Sequence, residues 1–141
     1  MTRRELVIIG AGPAGMAAAA SAHAAGVKDI LLLERDQFLG GILNQCIHTG
    51  FGINYFKEIL TGPEYADRFI GKIRAIPSLE VSLRSFVVSV NSRLQVSYIR
   101  PGELLTVQAG AVILATGSRE KTLEMIHIPG TLYSVNPKTA N

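Results

Sequence analysis

The residues with the clearest chemical purpose are Gly10, Gly12 and Gly15, spaced as G-x-G-x-x-G in Gly10-Ala11-Gly12-Pro13-Ala14-Gly15, together with Glu34 farther along. That spacing suits a phosphate group held on backbone amides. Gly10 permits a tight turn, Gly12 lets backbone approach a pyrophosphate with no side chain between, and Gly15 lets the next helix lie close on the strand before it. Pro13 falls in the first helical turn, where its missing amide costs no hydrogen bond. The free amides at Ala14 and beyond, with the positive end of the helix dipole, face the anion. Glu34 lies some twenty residues past the glycines, the distance at which a carboxylate accepts hydrogen bonds from a ribose. Its replacement is expected to weaken nucleotide binding and leave the fold intact. On the plainer reading the glycines make a packing turn and Glu34 is a solvated strand cap.

The elements that must hold these residues are legible on either side. Leu6-Val7-Ile8-Ile9 is an apolar run suited to a parallel strand buried on both faces, and it opens directly into the glycines. Ala14 to Ala25 is nearly all small residues, a thin helix that lies close on a sheet until Gly26 stops it. Ile30-Leu31-Leu32-Leu33 is the second buried strand, closed by Glu34. Arg35 to Gly41 reads as a loop, with Gly40-Gly41 marking close backbone approach or positive φ. Ile42 to Leu60 has no steady period and predicts short helical pieces and ordered loop. Thr61-Gly62-Pro63-Glu64 starts a helix over about 63–76, with Tyr65, Phe69, Ile73 and Ile76 at helical spacing and Pro77 ending it. Leu79 to Leu83 is a short strand. Phe86–Val90, Leu94–Ile99 and Leu104–Gln108, separated by turn residues, predict a three-stranded antiparallel meander. Gly110 to Ala115 then returns to a buried parallel strand ending in Thr116-Gly117. The expected organisation is an α/β, Rossmann-like βαβ domain over 1–117 with a parallel sheet, a meander and an incomplete sheet edge, followed by a tail or linker over 118–141.

Composition narrows the class. At 141 residues and 48% hydrophobic content the chain can bury one real core. Its net charge of +3 comes from scattered Lys and Arg, which is no nucleic-acid patch; a mildly basic surface also suits a phosphate-bearing cofactor. The apolar run after Arg3-Arg4 is interrupted by glycine too soon for a signal peptide, and no segment has the length of a transmembrane helix. The single cysteine, Cys46, excludes an intrachain disulfide and fits a reducing compartment, so a cytoplasmic protein is expected.

Taken together, Gly10 to Glu34, the Gly40-Gly41 pair, and a meander followed by Val112-Ile113-Leu114-Ala115-Thr116-Gly117 resemble the FAD domain of the two-dinucleotide-binding flavoproteins, the superfamily of pyridine nucleotide-disulfide oxidoreductases and thioredoxin reductase. Gly40-Gly41-Ile42-Leu43-Asn44-Gln45-Cys46-Ile47-His48 and Thr61-Gly62-Pro63-Glu64-Tyr65-Ala66 are similar to the branch found beside anaerobic glycerol-3-phosphate dehydrogenase and in flavoprotein subunits of amino-acid and opine dehydrogenases. The resemblance implies that Gly10, Gly12, Pro13, Ala14 and Gly15 hold the FAD pyrophosphate and Glu34 the adenosine ribose, with Arg35 beside the adenine. It implies further that Gly41, Ile42, Leu43 and Gln45 run along the flavin side, that Val87 offers backbone to adenine, and that Ala115, Thr116 and Gly117 back onto the cofactor. The activity implied is hydride transfer between NAD(P)H, bound by a further domain, and the flavin, with electrons passed onward.

The chain also departs from that pattern. The disulfide reductases carry a cysteine pair after the double glycine, whereas only Cys46 stands here, so local thiol-disulfide chemistry is not expected. Cys46 as a solitary redox thiol and His48 as a proton donor are the candidate catalytic groups, against the ordinary readings of an inert thiol and a hydrogen-bonded loop histidine. His23 and His127 make no metal-ligand spacing with Cys46. Family members continue through an NAD(P) domain and return with a last strand, so a fragment, a truncated frame or one piece of a split protein is expected, with a tendency to self-associate and with a complementing segment or subunit for a partner. Two other readings stay open: a stand-alone NAD(P)-binding domain, and a non-catalytic assembly module.

Overall fold

The computed structural model describes residues 1–118. The tail expected over 118–141 lies, apart from Ser118, outside the described residues. Strand β1 (Thr2–Ile9) feeds α1 (Pro13–Ala24), and the chain returns as β2 (Ile30–Leu33). Leu6 to Ile9 pair in parallel with Ile30 to Leu33 on one side and with Leu6↔Ala111 to Ile9↔Leu114 on the other. Leu6 and Ile8 point into a core shared with α1, and Val7 and Ile9 into a second core on the opposite face. The uninterrupted apolar run is therefore the mark of a strand covered twice, each fully buried Leu, Ile or Val contributing about 1.5–3 kcal/mol.

After β2 come a 3-10 turn (Gly41–Gln45), the short strands β3 (Thr49–Phe51) and β4 (Leu60–Thr61), α2 (Gly62–Arg74), β5 (Leu79–Ser82), β6 (Phe86–Val90), β7 (Gln95–Arg100) and β8 (Glu103–Leu114). The six-stranded sheet runs β5-β2-β1-β8-β7-β6, parallel through β8 and antiparallel beyond it; β3 and β4 form a separate antiparallel pair. That pair is absent from the expectation for Ile42 to Leu60, because strands of two or three residues carry no periodic signal. Tyr55, Phe56, Tyr65 and Phe69 pack their rings together over α2, with centroids 4.9 to 5.7 Å apart, and Lys72 Nζ lies 4.6 Å from the Tyr55 ring centre. These contacts tie the β3–β4 excursion to the helix.

The final two expected strands are one. β8 runs without interruption from Glu103 to Leu114, antiparallel to β7 through its first half and parallel to β1 from Val107 on. Gly110, expected to start the second of them, lies inside it, where a Cβ would come 2.8 Å from the carbonyl oxygen of Glu5. The glycine marks a close neighbour, not a turn. The meander folds its inner residues Val96, Tyr98 and Val107 onto Val7, Ile9, Leu31 and Leu33, closing the second core. Among the described residues, Gly110 to Leu114 pair on the β1 side only, and Leu114 is 69% exposed. No described helix is long and apolar enough to cross a membrane.

At the amino-terminal end of β1, Arg4 spans the sheet by pairing with Asp29 at 2.8 Å and with Glu80 on β5. The Asp29 hydrogen bond raises the guanidinium pKa. A cavity of about 890 Å³ lined by Arg3, Glu5, Val27 and Gly110 opens there, at the far end of β1 from the glycine turn.

Candidate nucleotide site

At the other end of β1 the backbone turns sharply at Gly10, whose φ is +101° and where a Cβ would lie 2.3 Å from the carbonyl oxygen of Ala115. The Ala115 amide donates to the carbonyl of Ile9 at 2.8 Å, so the end of β8 is latched to the start of the turn. Gly15 is excluded from bearing a side chain for another reason: its Cβ would lie 1.8 Å from the carbonyl oxygen of Gly10. Helix α1 is thus pressed against the turn that precedes it. Gly12 differs from both. It caps the helix in ordinary extended backbone with no side-chain capping bond, and a Cβ there would meet nothing nearer than the Cα of Gly41 at 4.0 Å. The outward side of Gly12, bordered by Pro13 and Ala14, is an open approach to uncapped helix amides. That is the cradle a pyrophosphate requires.

The loop after β2 closes on this turn. Gly40 donates its amide to the carbonyl of Ala11 at 2.9 Å, and Gly41, at φ +53°, lies so near Gly12 that a Cβ would come within 2.9 Å of its Cα. The double glycine is therefore the seat on which the 3-10 turn meets the Gly10–Gly15 turn. Along that turn Ile42 is exposed, Leu43 enters the α1–α2 core, and Gln45 is exposed. Leu43 therefore presents only backbone outward.

Glu34 is only 6% exposed. One of its carboxylate oxygens accepts from the Ala11 amide at 2.7 Å and the other from the Asp36 amide at 2.9 Å. Each oxygen keeps a further lone pair for a ribose hydroxyl. The carboxylate also has a task not foreseen in the sequence: it satisfies the amide of the residue between the first two glycines, so removing it disturbs the loop itself. Arg35 beside it is exposed, with its Nε 4.0 Å from Asp36.

The remaining candidates divide. Ala115 joins the glycine turn, with Thr116 and Gly117 following it exposed. Val87 lies on β6 opposite Tyr98, two residues past Ser85, whose amide donates to the carbonyl of Glu34 at 2.8 Å. Cys46 ends the 3-10 turn and its carbonyl accepts from the Gly62 amide at 2.8 Å. His48 is exposed, Nδ1 3.1 Å from the carbonyl of Thr49, its ring 5.3 Å from that of Phe51. Among the described residues no three His, Cys, Asp or Glu side chains gather as a metal site.

Three positions escaped sequence reasoning. Gly62 opens α2 so close to the 3-10 turn that a Cβ would lie 2.3 Å from the Leu43 carbonyl oxygen; its place beside Pro63 was its only signal. Ser82 and Ser85, buried with Oγ atoms 2.8 Å apart, had none.

Comparison with known proteins agrees with this geometry. The model of the pyridine nucleotide-disulphide oxidoreductase family matches residues 4–140. An opine oxidase subunit from Agrobacterium tumefaciens (strain Ach5) is 30% identical over 140 residues, covering 89% of this chain. This chain spans 25% of that protein's length. Among solved structures, L-proline dehydrogenase from P. horikoshii superposes with a TM-score of 0.74 at 24% identity, over 86% of this chain and 24% of that one. Lactococcus lactis thioredoxin reductase does so with a TM-score of 0.65 at 28% identity, over 86% of this chain and 38% of that one. With its glycine turn, the buried Glu34 beside it and its meander in one arrangement, the chain belongs to the pyridine nucleotide-disulphide oxidoreductase family.

Proposed function

We propose that the chain is the FAD-binding part of an FAD-dependent oxidoreductase that exchanges a hydride with NAD(P)H and passes the electrons onward. The observation that carries this reading is the joint closure of three segments on Gly12: the α1 amino terminus, Gly41 of the double glycine, and Glu34 through the Ala11 amide. A plain NAD(P) Rossmann unit needs the first and the carboxylate but has no use for the double glycine or the meander.

In this reading the uncapped amides of α1 and the bare backbone of Gly12 hold the pyrophosphate, and Glu34 accepts the ribose hydroxyls. Val87 offers backbone to the adenine, with Arg35 at its edge. Ile42, Gln45 and the backbone of Leu43 border the flavin side, and Ala115, Thr116 and Gly117 support it from behind. FAD, when bound, supplies the hydride and electron chemistry; these residues bind and orient it. NAD(P)H would be held by chain beyond this portion, in keeping with the 24 to 38% of the relatives' lengths that it spans. The one-sided edge of β8 at Gly110 to Leu114 is where a strand of that remaining chain, or of a partner subunit, would add to the sheet.

Flavin content decides the matter. Purified protein carrying a flavin spectrum, or acquiring one on titration with FAD, supports the reading. Colourless protein that FAD does not stabilise, but NAD does, would replace it with a nicotinamide-binding domain.

A further inference from the structure

Glu34 is held by its backbone as firmly as by its carboxylate, and the group that does it lies outside every nucleotide contact named above. The corner between β5 and β6, residues Ser82 to Ser85, wraps the end of β2. The Glu34 amide donates to the Ser82 carbonyl at 2.9 Å, the Ser85 amide donates to the Glu34 carbonyl at 2.8 Å, and the Arg84 amide donates to the Asp36 carbonyl at 3.0 Å. Three hydrogen bonds thus clamp the two residues on either side of Arg35. To make them, Arg84 adopts φ +52°, a left-handed conformation that costs a residue other than glycine free energy and persists only where the surroundings impose it. What imposes it is internal. Ser85, 1% exposed, bonds Ser82 Oγ at 2.8 Å and donates to the Leu83 carbonyl at 3.1 Å, pinning the corner across its own bend. Both hydroxyls are buried and neither is used by the proposed chemistry.

We infer that Ser85, with Ser82, is a positioning residue for ribose recognition: the hydroxyl pair fixes the β5–β6 corner, the corner fixes the Glu34 backbone, and the carboxylate is thereby aimed at the ribose hydroxyls. This rests on the ribose role of Glu34. Buried hydrogen-bond networks of this kind act as units, so loss of one member loosens the others. Ser85→Ala removes the hydroxyl that closes the bend. Ser82→Ala removes its partner and leaves the Ser85 bond to Leu83 intact, so its effect is the smaller.

The test compares ADP with 2′,3′-dideoxy-ADP by calorimetric titration of the chain and its variants. For wild type, loss of the two ribose hydroxyls is expected to weaken binding roughly tenfold or more, the worth of hydrogen bonds to a charged acceptor. Ser85→Ala is expected to bring the two ligands close to parity and Ser82→Ala to narrow the ratio part way, with circular dichroism establishing that each is folded. In a Glu34→Gln background Ser85→Ala should cost no further ADP affinity, since it acts through that carboxylate. A merely structural serine would lower the melting temperature and leave the ratio alone. Folded Ser85→Ala or Ser82→Ala with the wild-type ratio overturns the positioning role while the ribose assignment stands. A wild type that binds ADP but ignores the hydroxyls overturns the ribose assignment itself, and the positioning role with it.

Discussion

Replacing Glu34 should damage the protein twice, and the two losses can be measured separately. In Glu34→Gln the side chain keeps its shape but exchanges one acceptor oxygen for an NH2 donor, so either the Ala11 or the Asp36 amide faces another donor. Asp36 lies at the surface, where water takes over the lost bond, whereas Ala11 is fully buried. The Gln carboxamide turns its oxygen to Ala11 and its NH2 to the Asp36 side, so Glu34→Gln loses little stability, whereas Glu34→Ala leaves the buried Ala11 amide without a partner at a cost of about 1–3 kcal/mol. For a domain of this size that lowers the melting temperature of the ligand-free protein by roughly 4–12 °C. The space that Glu34→Ala empties adds to this loss, which should fall at the upper end of that range. Affinity for FAD should drop independently by about 1.5–3 kcal/mol, some ten- to a hundredfold, because the ribose hydroxyls lose a charged acceptor. Thermal unfolding without ligand reads the first loss and fluorescence titration with FAD the second. A ligand-free Glu34→Ala that melts with wild type would remove the latch to Ala11, and unchanged FAD affinity in either variant would remove the ribose role.

Gly12→Ala should leave the ligand-free melting temperature within about 1 °C of wild type, since its Cβ meets nothing closer than 4.0 Å and its backbone is ordinary, yet weaken FAD binding more than tenfold by standing in the pyrophosphate cradle; the same two measurements check it. Gly62→Ala should do the reverse, destabilising by about 1–3 kcal/mol as its Cβ drives into the Leu43 and Cys46 carbonyls, seen as a lower denaturant midpoint. Glu64 closes a capping box on α2, and the Thr61 backbone amide, then the Thr61 hydroxyl, hold its carboxyl below the usual carboxylate range. Its folded pKa being the depressed one, the stability it gives is present above the unfolded value and lost as pH falls through the folded value; melting curves taken down through the acid range should therefore converge for wild type and Glu64→Gln.

Much of the site was legible because its demands are backbone demands. Gly10, Gly12 and Gly15 each answer a different contact, and the structure separates them: Gly10 and Gly15 exclude a Cβ by collision with Ala115 and Gly10, Gly12 by the open space it leaves. The strands flanking them were legible because a strand buried on both faces writes an unbroken apolar run. What escaped reading depends on tertiary neighbours. The Glu34 carboxylate finds the Ala11 amide only because β1 and β2 lie side by side, and nothing in its spacing distinguishes a ligand acceptor from a loop latch. That β8 is one strand and not two was hidden because a glycine that starts a strand and one that lies inside it look alike until the approaching backbone of Glu5 is seen. Ser82 and Ser85 were invisible for the plainest reason, that buried serines have no pattern.

The pairing of β1 with β8 sets a clock on the site. Thr2 lies opposite Val107 and Ile9 opposite Leu114, and the bond from Ala115 to Ile9 fastens the turn at Gly10. The glycines leave the ribosome well before the strand that completes their surroundings, which is separated from them by most of the described chain. At about 5–20 residues per second, on the order of 5–20 s pass between synthesis of the glycine turn and arrival of its second neighbour. During that interval β1 has β2 alone beside it and an apolar edge in want of a partner. Closure over so long a sequence separation is entropically slow, so the site forms among the last features of the fold, and a nucleotide that binds it reports that the whole sheet has closed.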